Sequence, residues 1–210
     1  MLDKRILKTP LKRDLVLPNI NLAQEIVKEW DQDSKKINTG SMIFYGLVST
    51  SLDKIIDNKN LYINDILDYI DTDLICYRAE NPKELVELQK NKWDPIILLI
   101  EKYVGTKVQV FQGISPKKQH TTIYTKLSNL INKLDIFQIS ALHRITNITG
   151  SIFLSLCIFK KDILKNEAFE LSFLDELWQS ENWGFDEETL QKRKEISMEL
   201  NRSIFFLDCL

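Results

Sequence analysis

Apolar and polar residues in the first 60 positions predict a short hairpin followed by one amphipathic helix. Two brief apolar segments, KRILKT and DLVL, are separated by Pro10, and Pro18 ends the second, which is typical of short edge strands. In NLAQEIVKEW, Leu22, Ile26 and Trp30 recur at i, i+4 and i+8, so they share one face of a helix. The next apolar run, INTGSMIFYGLVSTSLDKI, is interrupted by glycines and fits either a strand or a helix.

From about residue 61 onward the apolar positions keep helical spacing. The segment ENPKE carries helix-start signals, because Asn81 can cap, Pro82 suits the first helical position and Glu84 can complete a capping box. A second proline, Pro95, follows an aspartate in the same way, so we expect the helix to kink or restart there. Gly105 is expected to end it.

One segment of the second half alternates as a strand does. Val108 and Val110 alternate with Lys107 and Gln109, so residues 107–112 are predicted to form a strand that joins the N-terminal sheet. The remaining predicted elements are helices near 121–134, 137–146 and 148–160, a helix over SFLDELWQSENW, and a long final helix capped by Asp186.

The composition of the 210-residue chain indicates a sizeable core and narrows the classes of partner. Hydrophobic residues make up 44%, and a formal charge of -2 with a pI near 5.8 gives no global positive field for nucleic acid or an anionic membrane. The longest apolar run, residues 152–159, is far shorter than the roughly 20 residues that span a bilayer. Three scattered cysteines and a basic start without the apolar segment of a signal peptide favour a cytoplasmic protein.

The proximity of Cys76 to Arg78 raises the question of a catalytic thiol. A cysteine nucleophile needs a lowered pKa and a nearby base, and nothing in the sequence ties His120 or His143 to Cys76. Cys76 adjoins a helix rich in Ile and Leu, so a packed, inert thiol is the favoured interpretation. The sequence also lacks zinc-ligand spacing, an EF-hand pattern and a glycine-rich phosphate loop, so no metal or cofactor is predicted.

The stretch between residues 166 and 191 contains no Lys or Arg but many Asp and Glu residues. Helix starts account for several of them, because the helix dipole favours negative charge there. Glu181 instead falls on the same helical stripe as the apolar residues around Trp178. Its carboxylate is therefore either paired with a cation, such as Arg78 or Arg144, or exposed in a groove meant for a partner. Both alternatives for Glu181 stay open. Use of Asp175, Glu176 and Glu181 as a catalytic acid/base pair is disfavoured, because nothing else around them suggests a substrate pocket.

Several longer segments resemble one known family in order along nearly the whole chain. They are LDKRILKTP, LPNINLAQEIVKEWD, STSLDKI, DTDLICYRAENPKELVELQKNKWDPII, ALHRITNITGS and LDELWQSENWGFDEE. They resemble the ATP synthase assembly chaperones, of the mitochondrial and alphaproteobacterial type, that bind the α subunit of the F-type catalytic head. The chain departs from the family at Lys4, where relatives usually have glycine.

The resemblance implies an α+β fold with a small N-terminal strand-containing domain, residues 1–60, and a mainly α orthogonal helical bundle, residues 61–210. It implies an activity without catalysis, cofactor or ATP: binding the free α subunit and preventing its aggregation until the β subunit takes its place. The α subunit is the predicted partner, and no nucleic acid, metal or membrane insertion is expected. The bacterial cytoplasm, or the mitochondrial matrix for a eukaryotic counterpart, is the implied compartment.

The resemblance also singles out acidic positions in the C-terminal block, to which we add two tryptophans as candidate aromatic anchors. The predicted partner-contacting residues are Asp175, Glu176, Trp178, Glu181, Trp183, Asp186 and Glu187. The family motif positions with a predicted structural role are Trp30, Tyr77, Arg78, Trp93, Asp94 and Gly184.

Two other classes of function compete with this one. A hydrolase or transferase would use Cys76 as its nucleophile, and rapid alkylation of the native thiol would favour it. A general holdase would bind many unfolded clients, and the range of proteins captured would separate it from a dedicated assembly chaperone.

Overall fold

The predicted α+β class with a mainly helical bundle is confirmed by the structure, a computed structural model. The structure describes residues 6–31, 39–113, 117–184 and 186–210. The helices are α1 Ile20–Trp30, α2 Ile43–Thr50, α3 Ile56–Leu67, α4 Lys83–Val104, α5 Thr121–Ile131, α6 Ile136–Thr149, α7 Ile152–Phe159, α8 Lys165–Ser172, α9 Leu174–Trp183 and α10 Glu187–Asp208. Short helical turns cover Thr39–Ser41, Asp68–Asp71 and Leu74–Cys76, and two strands are β1 Tyr77–Arg78 and β2 Phe111–Gln112.

The N-terminal segment folds back on itself as predicted, through an antiparallel bridge between Lys8 and Asp14. The Leu15 N–H donates to the Leu7 carbonyl at 3.0 Å in the same turn. The departure from the family at Lys4 lies outside the described residues. The helix predicted to follow the hairpin is α1.

The strand predicted at residues 107–112 forms only at Phe111–Gln112, and its predicted pairing with the N-terminal sheet is wrong. β2 pairs in parallel with β1, with Phe111 opposite Tyr77. A parallel pair needs a crossover connection, and α4 supplies it by returning the chain beside β1. The backbone of Gln109 is bonded instead to the Gln119 side chain, which donates to its carbonyl at 2.8 Å and accepts from its N–H at 2.9 Å.

From Thr39 onward, the apolar run that fitted either a strand or a helix forms helical elements. It forms α2 and continues into a π-helical turn, Ser51–Ile55. The turn carries Asp53, a buried carboxylate that accepts hydrogen bonds from the Thr9 hydroxyl at 2.6 Å and the Leu11 N–H at 3.0 Å. These bonds attach the N-terminal hairpin to the helical body.

α4 is one helix of 22 residues with Pro95 inside it, so of the predicted kink or restart the restart is wrong. Proline has no N–H to donate to the Asn91 carbonyl, but both residues are exposed, so solvent can reach that carbonyl. The capping box predicted at Asn81 is also absent within this described segment, because Pro82 occupies the capping position without a side-chain bond. Gly105 ends the helix at φ 70°, as predicted.

Two apolar clusters hold the helices together. The larger one includes buried residues of α3 to α7, with α7 buried from Ile152 to Ile158, and reaches the C-terminal half of α10. The smaller one joins α1 and α2 to α6 and the end of α10, where the Phe44 and Phe206 rings lie 5.3 Å apart. The predicted domain boundary at residue 60 stays a prediction, and α3 runs across that position. Among the helices of the described ranges, none combines the length and apolar character needed to cross a membrane.

Candidate functional site

The Cys76 thiol is buried in the larger cluster, where its sulfur accepts a hydrogen bond from the Gln119 amide at 3.5 Å. Burial is the main cause that raises its pKa above the ordinary value, the Asp73 charge raises it further, and Arg78 opposes them. Neither histidine serves as its base: the His120 ring accepts a bond from the Thr122 N–H at 3.2 Å, and His143 lies 3.7 Å from Asp65. The arrangement disfavours thiolate chemistry.

No group of three or more His, Cys, Asp or Glu side chains in the described ranges could hold a metal ion.

Arg78 joins β1 to α4 through a nearly complete set of bonds. Its Nε donates to the Ile75 carbonyl at 2.9 Å and its Nη1 to the Gln89 carbonyl at 3.0 Å. Its Nη2 lies 3.0 Å from the Asp94 carboxylate, and the guanidinium lies 5.2 Å from the centre of the Trp93 ring. Burial lowers the pKa of Arg78, while Asp94 opposes that effect.

The other motif residues contact neighbouring elements. The Trp93 Nε1 donates to the Leu171 carbonyl at 2.9 Å, which links α4 to α8. The Tyr77 hydroxyl donates to the Asp71 carbonyl at 2.6 Å, and its ring lies 5.4 Å from that of Phe111 in β2. The remaining two are Trp30, whose ring meets Tyr45 edge-on at 5.4 Å, and Gly184, which ends α9 at φ 79°.

A groove opens on the outer face of α4, beside α8 and α9, and we call it the α4–α9 groove. Its volume is about 700 Å³, within the size range of about 300–1,000 Å³ seen for ligand pockets. Its apolar lining includes Leu88, Pro95, Ile96 and Leu99 of α4, Phe169 and Leu171 of α8, and Leu174, Leu177 and Trp178 of α9. Its charged lining residues are Asp162, Glu167, Glu170, Glu181 and Lys92.

Glu181 is exposed and lines this groove. The cations considered as its partners are paired elsewhere: Arg78 with Asp94, and Arg144 with Glu199. Within the described ranges no salt bridge reaches Glu181, so of the two alternatives the structure shows the exposed carboxylate.

The tryptophans of α9 differ in exposure. Trp178 is half-buried and lines the groove, whereas Trp183 at the end of the helix is 73% exposed. Their rings meet edge-on at 5.5 Å. An apolar ring of this size left in water favours contact with another protein.

The predicted acidic residues also divide into bonded and exposed groups. The Asp175 carboxylate is half-buried and accepts two bonds from the Gln89 amide, at 2.8 and 3.0 Å. Asp186 caps α10 by accepting from the Thr189 N–H at 2.7 Å, a bond that lowers its pKa. Glu176 and Glu187 are exposed on the first turns of α9 and α10. Asp175 is therefore the member of the set least available to a partner.

The sequence did not predict that α4 forms a wall of this groove, or that the carboxylates of Glu167 and Glu170 line it. The α4 residues that line the groove recur every three or four positions, a spacing that a core-facing stripe shares; they are Leu88, Asn91, Lys92, Pro95, Ile96 and Leu99. Only the position of α9 shows that this stripe is partly uncovered.

Comparisons with known proteins point to one family. A family model described as ATP12 chaperone protein matches residues 1–101. The mitochondrial protein atp12 of Schizosaccharomyces pombe is 27% identical over 97% of this chain and 76% of its own length. Atp12 from Paracoccus denitrificans, a solved structure, is 31% identical and covers 100% of this chain and 90% of its own, with a TM-score of 0.91. The Agrobacterium tumefaciens protein Atu1473 is 31% identical over 99% of this chain and 78% of its own, with a TM-score of 0.93. This chain belongs to the ATP12 chaperone family.

Proposed function

We propose that this protein is an ATP-independent assembly chaperone that binds the free α subunit of the F-type ATP synthase until the β subunit replaces it. Membership of the ATP12 chaperone family is the observation that carries the proposal. The exposed Trp183 and the acidic α4–α9 groove support it, because they offer a binding surface on a molecule whose Cys76 thiol is buried and has a raised pKa.

The chaperone effect follows from mass action. An unassembled α subunit exposes the surfaces that it later buries against β, and large apolar patches of this kind aggregate. A protein that covers one of them lowers the concentration of the aggregating species. Release needs no nucleotide if β offers a larger interface, since stable interfaces bury on the order of 1,200–2,000 Å² or more.

The chemistry of the site fits binding better than catalysis. The carboxylates Glu176, Glu181 and Glu187 are exposed, where they can steer a basic surface of the client toward the site. On this proposal the protein is not an enzyme, and it shares the compartment of its client, the bacterial cytoplasm or the mitochondrial matrix.

Replacing Trp183 by alanine is expected to weaken binding of the α subunit about thirtyfold, the effect typical of an aromatic hot spot. The fold should be retained, because this ring is 73% exposed. The measurement is the dissociation constant for the isolated α subunit, with thermal melting of each variant as the check on folding. Val16→Ala is the matched control, since Val16 is an exposed apolar residue of the N-terminal hairpin. Unchanged affinity of the Trp183→Ala variant would remove this tryptophan from the interface.

A further inference from the structure

We infer that the α4–α9 groove receives an amphipathic helix of the client whose apolar face is flanked by lysines and arginines. The inference rests on the proposed function for the identity of the client, and on the groove itself for the chemistry of the segment. It assigns a secondary structure and a charge to the part of the partner that docks.

The shape of the groove favours a helix. Its α4 wall follows one face of the helix from Leu88 to Leu99, about three turns, with apolar residues toward both ends and the polar Asn91 and Lys92 between them. With a rise of about 1.5 Å per residue, this wall is about 16 Å long. A helix of three to four turns has the same length, and side chains at i, i+3 or i+4 and i+7 would enter the groove side by side.

The charges around the groove favour a basic segment. Four carboxylates line it, against the single ammonium group of Lys92. Three of the acids, Glu167, Glu170 and Glu181, are exposed and come from two different helices, α8 and α9, on the side that faces α4. A helix carrying lysines or arginines on its flanks would complement them, whereas an acidic segment would be repelled.

The groove walls are also held in place without an occupant. The Trp93 indole fixes α4 to α8 through the Leu171 carbonyl, and Gln89 of α4 binds Asp175 of α9. Because these bonds lie within the protein, the uncovered stripe is available as a pre-formed surface, which lowers the cost of ordering on binding.

Three synthetic peptides test the chemistry of the groove. The first has leucines at i, i+3, i+4 and i+7 and lysines on both flanks. The second keeps the leucines but has glutamates on the flanks, and the third keeps the lysines but has serines in place of the leucines. Fluorescence anisotropy with the intact protein should show at least tenfold tighter binding of the first peptide, weakened by added salt. Equal binding of the leucine–lysine and leucine–glutamate peptides would overturn the inference.

Variants of the exposed carboxylates that line the groove test whether the peptide binds there. The triple variant E167Q/E170Q/E181Q should weaken binding of the leucine–lysine peptide at least tenfold. It should keep the melting temperature because all three side chains are exposed and a glutamine amide oxygen at position 167 can still accept the Leu164 N–H bond that starts α8. The control variant D68N/E80Q/E84Q removes the same charge from exposed positions that do not line the groove, and should bind normally. Equal loss of binding in both variants would overturn the assignment, because it would show an effect of net charge alone.

Aggregation of the isolated α subunit separates this inference from the proposed function. The unmodified protein should suppress light scattering by α, and E167Q/E170Q/E181Q should suppress it less. If both suppress it equally, the groove is not the docking site, while the chaperone function stands. If the unmodified protein fails to protect α although the peptide results hold, the proposed function fails and the preference of the groove for basic amphipathic helices stands.

Discussion

Replacing Asp73 by alanine is expected to lower the free energy of unfolding by about 3–5 kcal/mol. Asp73 is completely buried, and its carboxylate accepts bonds from the Ile75 N–H at 3.1 Å, the Phe153 N–H at 3.0 Å and the Ser151 hydroxyl at 2.7 Å. These bonds tie the turn before β1 to the start of α7, at the centre of the larger core. Alanine would leave three buried donors without an acceptor.

Urea denaturation of the variant measures this loss. Asp68→Ala is the matched control, because Asp68 is an exposed aspartate on the neighbouring helical turn and its removal should change stability by less than about 0.5 kcal/mol. A similar small effect for Asp73→Ala would show that the donors find other partners and that this carboxylate does not hold α7 in place.

The same residue makes a prediction about pH. Burial raises the pKa of Asp73 to about 7, against the opposing effect of its hydrogen bonds, whereas an aspartate in an unfolded chain has a pKa of about 3.9. The folded protein therefore binds this proton more tightly, and the resulting stability is present below about pH 4 and lost as the pH rises through 7. The stability advantage of the unmodified protein over Asp73→Asn, which cannot titrate, should shrink across that interval. An advantage that grows with pH would contradict the raised pKa.

Alkylation of Cys76 in the native protein is expected to be on the order of a thousandfold slower, or more, than in the unfolded chain. The thiol is fully buried, and its raised pKa leaves little thiolate to react at neutral pH. Reaction therefore requires an opening of the larger core, whose free energy approaches that of global unfolding.

Mass spectrometry of digested samples measures the three cysteines in one experiment. Cys209 should react first, because it lies at the end of α10 and keeps 7% exposure, whereas Cys76 and Cys157 have none. Urea provides the fully reactive reference. Labelling of native Cys76 as fast as in urea would contradict the packed thiol and favour the hydrolase or transferase alternative.

Elements with local start and stop signals could be predicted from the sequence. Asp186 caps α10 as expected, Gly105 ends α4, and the apolar run of α7 is buried. The two helix ends depend on contacts within a few residues, and the burial of α7 follows from an unbroken apolar run; the sequence displays both directly.

The pairings that depend on distant segments could not be predicted. β2 lies beside β1 only because α4 brings the chain back, and nothing in residues 107–112 specifies that neighbour. The sequence likewise left Glu181 between two alternatives, because it could not show that Arg78 is already paired with Asp94. The α4 wall of the groove could not be predicted for a related reason. The spacing of residues on one helix face is the same whether or not another helix covers that face.

Light scattering of the α subunit during refolding tests the proposed chaperone function most directly. The α subunit refolds in three conditions: without additions, with this protein, and with this protein followed by the β subunit. As a control client, the β subunit refolds without additions and with this protein. We expect suppression of aggregation for α but not for β, and loss of bound chaperone from α once β is added. Equal suppression for both subunits would indicate a general holdase, and no suppression for α would contradict the proposed function.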